Sequence, residues 1–201
     1  MTKENLVKCE IVKSEEDHAS PLRTLIDRNK GFADGFTAAD LPMLPKLNTM
    51  VLACIDARVD PAYVLGLELG EVVVARNNGG RVTRTFIDET ATIAAMVARS
   101  FDIVLMQHTN CGAQRLADPA FQAALKDKLG IDVSESAITD QRKDLLTDID
   151  RLRDAPQLPG TLTVSALLYD VESGRVEEIA APRTLAELRT QRDGTGASAA
   201  L

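Results

Sequence analysis

The sequence predicts an α/β fold: a single domain with a mainly parallel central sheet flanked by helices, carrying a helical arm at its N-terminus. Three observations lead there. Short apolar runs at 50–54, 72–75 and 103–106 have the composition of strands buried on both faces. Helical stretches lie between them, as the crossovers of a parallel sheet require. A length of 201 residues suits one domain.

Residues 1–47 form the arm. Leu22, Leu25, Ile26, Asn29, Phe32 and Phe36 recur at roughly helical spacing, and Pro21 stands where a first turn tolerates proline, so a helix spans about 20–35. Pro42 and Pro45 mark an irregular connection. The core, 48–180, opens on the strand at 50–54. Asp60 then caps a short helix with Pro61 at its first position. The strand at 72–75, a helix over about 86–100 and the strand at 103–106 follow. Helical segments over about 113–128 and 134–153 lead to a strand at 162–169, a turn at 172–174 and a return strand at 175–179. Residues 181–201 are a tail, with a short helix over 185–189 and a frayed end from Gly194 onward.

Composition narrows the function. Apolar residues make up 45% and charged residues 26%, ordinary for a globular protein, while aromatics are only 3%, so Leu, Val, Ile and Ala must build the core. A net charge of −7 without clustered Lys and Arg speaks against nucleic acid as a partner. No run approaches the ~20 apolar residues of a membrane span. The first twenty residues lack the apolar stretch of a signal peptide, which makes a cytoplasmic location the expectation. Three cysteines in such a chain point away from a disulfide framework and towards metal binding or catalysis.

Two segments carry chemistry: Cys54-Ile55-Asp56-Ala57-Arg58 and His108-Thr109-Asn110-Cys111-Gly112. Each follows a predicted buried strand, and the carboxyl ends of parallel strands are where ligands collect. Either Cys or the His taken singly would be an unremarked core or strand-end residue. Together, Cys54, His108 and Cys111 offer three ligands of the thiolate and imidazole type that zinc favours, with its fourth position open. Cys9 and His18 stand in the arm without partners at finger-like spacing. Asp56 and Arg58, two apart on an extended segment, share a face, and an Arg can grip a carboxylate bidentately. Asp56 freed from Arg58 could ligate and block the metal; held by it, Asp56 could accept a hydrogen bond from metal-bound water. Gly79 and Gly80 permit a tight turn or a close backbone approach to the site. Arg81 and Arg84 read either as surface residues or as part of an anion path.

Cys54-x-Asp56-x-Arg58 followed by His108-x-x-Cys111-Gly112 resembles the signature of the beta-class carbonic anhydrases. Arg76-Asn77-Asn78-Gly79-Gly80 and Leu168-Tyr169-Asp170-Val171 are similar to further family segments, and the similarity spans roughly 22–180. The resemblance implies one zinc per chain on Cys54, His108 and Cys111, an Asp56–Arg58 catalytic dyad, and hydration of CO2 to bicarbonate by attack of zinc-bound hydroxide. It also implies at least a homodimer, or a homotetramer, whose N-terminal helices wrap the partner. Because two thiolates neutralise Zn²⁺, its water needs help from Asp56, Arg58 and backbone N–H groups near Gly112 to ionise near neutral pH.

Asn78, Gln107 and Asn110 depart from the usual pattern, and the segment Ala113-Gln114-Arg115-Leu116 looks like a compact branch that includes hydrolases of carbonyl sulfide and carbon disulfide. Carbonyl sulfide hydrolysis is therefore the alternative activity, and an inactive zinc-bearing interaction or sensor protein the alternative outside catalysis. A dinucleotide fold would need G-x-G-x-x-G, which 77–80 does not supply. A Cys54–Cys111 redox pair would leave His108, Asp56 and Arg58 without a role.

Overall fold

The computed structural model describes residues 20–196, with side chains through Arg192. Cys9, His18 and the final residues 197–201 lie outside the described residues. The chain divides into two compact units between Leu41 and Pro42. In the first, helix α1 (Pro21–Asp34) starts with its proline in the first turn. Its apolar stripe of Leu22, Leu25, Ile26 and Phe32 is exposed, and the Phe32 and Phe36 rings stack 5.6 Å apart.

The second unit is built on a five-stranded sheet of order β2–β1–β3–β4–β5. Strands β1 (Thr49–Cys54), β2 (Val73–Asn77), β3 (Asp102–His108) and β4 (Thr163–Tyr169) run parallel. Strand β5 (Val176–Thr184) returns antiparallel to β4. The reversal is local: Gly174, at φ 71°, lets its N–H reach the carbonyl of Asp170 at 2.9 Å and close the hairpin.

Side-chain alternation sorts the core. Met50, Leu52, Ile103 and Leu105 face one layer, where α3 (Arg84–Val97), α5 (Gln141–Asp154) and α6 (Leu185–Gly196) contribute Phe86, Leu145, Leu152 and Leu185. Val51, Ala53 and Met106 face the other, against Val59 and Val64 around the short helix α2 (Pro61–Val64). Asp60 caps α2 by accepting from the Ala62 amide. No helix among the described residues is long and apolar enough to cross a membrane.

Three expected helices change shape. Helix α3 begins at Arg84 because Thr83 caps it, and it stops at Val97 because Ala98 turns left-handed. The segment expected over 113–128 divides into a 3-10 turn at Gly112–Ala117 and helix α4 (Pro119–Leu129): Asp118 caps the second piece and Pro119 starts it. The segment expected over 134–153 is a short turn at Ser134–Ser136, an extended link, and then α5, capped by Asp140. The Asp144 carboxylate accepts from the Thr139 and Asp140 amides, which pins that link in its non-helical course.

Candidate metal centre

Strands β1 and β3 are neighbours in register and end on Cys54 and His108. Cys111 follows three residues later, across a turn in which Asn110 adopts φ 52°. Turn and strand ends thus bring Cys54 Sγ, Cys111 Sγ and one ring nitrogen of His108 within 4.8 Å of one another, all buried. Two segments more than fifty residues apart become one cluster that could hold a metal ion.

The two cysteines are free, with sulfurs 3.8 Å apart, far beyond the ~2.05 Å of a disulfide. The hydrogen bond between the two thiols, with the Asp56 amide 3.5 Å from the Cys54 sulfur, lowers Cys54 to about 4 against the cost of burial. Cys111 is pushed well above an ordinary thiol by its contact with Cys54 and by burial. A cation bound between the sulfurs would displace thiol protons. Gly112 leads from Cys111 into the 3-10 turn with open space where a side chain would be.

The state of the imidazole follows from its neighbours. His108 Nδ1 lies 2.9 Å from the carbonyl oxygen of Thr109. A carbonyl only accepts, so Nδ1 carries the proton and Nε2 a lone pair. Nε2 is buried with no hydrogen-bond partner. The Thr109 carbonyl is itself held in place: the Thr109 amide donates to Tyr169 O at 2.9 Å and its hydroxyl to Asp170 Oδ1 at 3.0 Å.

Asp56 and Arg58 form the expected pair. Arg58 Nε and Nη2 donate to the two carboxylate oxygens at 2.9 and 2.7 Å, and the Arg58 amide donates to Oδ1 at 2.9 Å. These bonds hold the Asp56 carboxyl well below the usual carboxylate range. Asp56 Oδ2 lies 3.9 Å from His108 Nε2, beside the cluster. Arg58 also donates to the Asn110 carbonyl at 3.0 Å and so ties the two motifs together.

Sequence reasoning passed over Arg76 as a brace: its guanidinium donates to the carbonyls of Cys54 and Asp56 at 3.0 and 2.7 Å. It also passed over Ile138, which packs on Cys54, Cys111 and Ala113 from 27 residues further along the chain. No local pattern marks that contact. Gly79 and Gly80 both have positive φ, and a Cβ on Gly80 would stand 2.9 Å from the backbone of Ala53 and Cys54. Of the two arginines left open by the sequence, Arg84 is exposed and pairs with Asp88, whereas Arg81 is neither a surface residue nor part of an anion path. It is buried against Asp148, because the turn carrying it packs under α5.

A cleft of about 250 Å³ opens on the cluster, lined by Cys54, Ile55, Asp56, Gly79, Ala113 and Leu116 among others. Beta-carbonic anhydrase 1 of Mycobacterium tuberculosis is 31% identical over 153 residues, covering 75% of this chain and 93% of that protein. The chain belongs to the beta-carbonic anhydrase family. The family model described as carbonic anhydrase matches residues 49–132, which hold both Cys54–Arg58 and His108–Gly112. The crystal structure of carbonic anhydrase from Streptococcus mutans superposes with a TM-score of 0.71 at 33% identity, covering 81% of this chain and 99% of that one. The carbon disulfide hydrolase of Acidithiobacillus thiooxidans is 28% identical over 153 residues, covering 63% of this chain and 74% of that protein. Within this beta-carbonic anhydrase fold the cluster, the cleft and the Asp56–Arg58 pair occupy one end of the sheet.

Proposed function

We propose that this member of the beta-carbonic anhydrase family catalyses the reversible hydration of CO2 to bicarbonate, with one zinc ion per chain on Cys54, His108 and Cys111. The observation that carries the reading is the buried, unpartnered Nε2 of His108 facing two thiol sulfurs. Leaving such an atom unsatisfied costs about 1–3 kcal/mol, a cost a metal bond removes. The donor set fits zinc: two Zn–S bonds of about 2.3 Å at a tetrahedral angle separate the sulfurs by roughly 3.8 Å, and 3.8 Å is the separation here. When bound, zinc supplies Lewis acidity that makes water nucleophilic near neutral pH.

The chain's own residues do the rest. Arg58 keeps Asp56 off the ligand cluster and ionised. Asp56 then accepts a hydrogen bond from the reacting water and orients it towards the carbon of CO2. The Asp56 amide, 3.5 Å from the Cys54 sulfur, withdraws charge from that thiolate. Gly80 gives the turn its close approach to β1, and Gly112 leads the backbone away from Cys111 without a side chain in the cleft. Ile55, Ala113 and Leu116 give a small, linear, uncharged molecule an apolar surface.

A second reading is hydrolysis of carbonyl sulfide or carbon disulfide, favoured by the carbon disulfide hydrolase relative and by the same apolar lining. Assembly as a homodimer or homotetramer is supported by the exposed apolar stripe of α1 and by the exposed Val73 and Val74 of β2, an edge strand that pairs only with β1 among the described residues. Reduced thiols at the centre suit the cytoplasm.

Stopped-flow CO2 hydration by zinc-loaded protein near neutral pH and about 1.5 units above it tests the proposal, with sulfide release from carbonyl sulfide and carbon disulfide assayed in parallel. Hydration at either pH supports it; inertness to CO2 at both, with sulfide released, transfers the assignment to the second reading. Sedimentation velocity reads the assembly.

A further inference from the structure

Beneath the metal centre lies a second buried polar cluster that donates nothing to it. Arg81 is 3% exposed and Asp148 0%. Arg81 Nε and Nη2 donate to the two Asp148 oxygens at 2.7 and 3.1 Å, and Arg151 Nη1 donates to Asp148 at 3.0 Å. The second terminal nitrogen of Arg81 reaches the Ala137 carbonyl and lies 3.5 Å from Asp144. The Gln107 amide, one residue before the ligand His108, lies 3.4 Å from Asp148.

A buried ion pair gives little net stability compared with apolar residues of the same volume, so stability alone does not account for it. What it joins is more telling. The Arg81 backbone is clamped by Asn77, whose side-chain amide donates to Arg81 O at 2.8 Å and accepts from Arg81 N at 2.9 Å. The turn so fixed carries Gly79 and Gly80, and it passes so close to β1 that a Cβ on Gly80 would stand 2.9 Å from the Cys54 amide nitrogen. On its other side Arg81 grips Ala137, beside Ser136 and Ile138. A Cβ on Gly79 would meet Ile138 Cδ1 at 3.0 Å and Ser136 O at 3.1 Å. Ile138, in turn, packs on both thiols.

We propose that Arg81, anchored by Asp148, is a positioning residue for the metal centre: it locks the 77–81 turn against the 136–138 segment, and so holds Gly79 and Ile138 beside the two thiols and sets the width of the cleft. This deepens the zinc reading and rests on it.

Two variants test the lock. Arg81→Lys keeps the charge but loses the planar fork that spans Asp148 and Ala137. The pair Arg81→Met with Asp148→Leu removes both charges at similar volume. Each is loaded with Co²⁺ and its absorption compared with the parent's. With Gly79 and Ile138 loosened beside the thiols, the thiolate-to-cobalt charge-transfer band moves from the parent's position while metal content stays at about one per chain. In the zinc forms, kcat/KM for carbon disulfide relative to CO2 rises about tenfold, the scale of a small change in pocket size. A folded, metal-loaded Arg81→Lys protein with the parent's cobalt spectrum overturns the proposal, even if its melting temperature has dropped, since that is the mark of a purely structural pair. If the double variant does not fold, Arg81→Lys carries the test alone. If the parent turns over neither substrate, the functional reading has failed and the cobalt spectrum still decides the role of Arg81.

Discussion

Two buried polar clusters lie within one sheet's length of each other, and they differ in what they lack. Around Arg81, opposite charges face each other: Asp148 receives Arg81 and Arg151, and Asp144 receives two backbone amides. Burial raises the Asp148 carboxyl even though Arg81 and Arg151 pull against it, and two arginines face two carboxylates. Around Cys54, His108 and Cys111 there are donors for a cation and no side-chain cation among the ligands, and one imidazole lone pair has no partner. The Arg81 cluster closes on itself, whereas the one at Cys54, His108 and Cys111 stays open and could hold a cation.

The largest break in that contrast comes from the open cluster. Cys54→Ser or Cys111→Ser should reduce bound zinc from about one per chain to a small fraction, and CO2 hydration to background. Metal analysis beside the rate assay checks this, and full zinc retention in both variants would defeat the ligand assignment. Next is the closed cluster. Asp148→Ala strands Arg81 and should cost about 3–5 kcal/mol, read as a fall in melting temperature of roughly 10 °C, whereas zinc content at low temperature should stay near that of the parent.

Smaller effects sharpen the comparison at the rim of the metal centre. Arg58→Ala should retain zinc and lower hydration about 10–100-fold, because Asp56 is no longer held off the ligand cluster. An unchanged rate would remove Asp56–Arg58 from the catalytic machinery. Asp170→Ala releases the Thr109 hydroxyl, and through it the carbonyl that sets the His108 tautomer; zinc affinity should weaken about tenfold in competition with a chelator. The smallest effect is on pH dependence. Arg58 holds Asp56 below the usual carboxylate range, so between its folded and unfolded pKa values the unfolded chain binds more protons. Its stabilisation is therefore complete above the ordinary carboxylate pKa of about 3.9 and lost only as pH falls through the folded value. The stability difference between parent and Asp56→Asn should be flat from about pH 6 to 9 and shrink below about pH 4, measured by denaturant titration. A slope across the neutral range would contradict the ion pair.

Much of the fold was legible because periodicity and local chemistry agree. The apolar runs of β1 and β3 are strands because both faces are buried, and the Asp60-Pro61 pair starts a helix wherever it stands. The breaks at Asp118-Pro119 and Asp140 carried the same capping signals, outweighed in the reading by the helical pattern around them. Arg81 was illegible for a different reason. Its burial depends on Asp144 and Asp148, more than sixty residues later, and no local spacing reports a contact of that range.

By itself the sequence determined which chemistry this protein can carry: two thiols, one imidazole and an Asp–Arg pair, each at the end of a strand its own residues specify. Only the tertiary structure decided how those groups stand. It turned the Thr109 carbonyl to the imidazole so that Nε2 is the free nitrogen, brought the sulfurs to 3.8 Å, bound Asp56 to Arg58 beside the cluster, and buried Arg81 under the turn that touches Cys54. Residue type is a local property, written once per position. Distance, tautomer and desolvation arise between residues far apart in the chain, and they exist only once the sheet has brought those residues together.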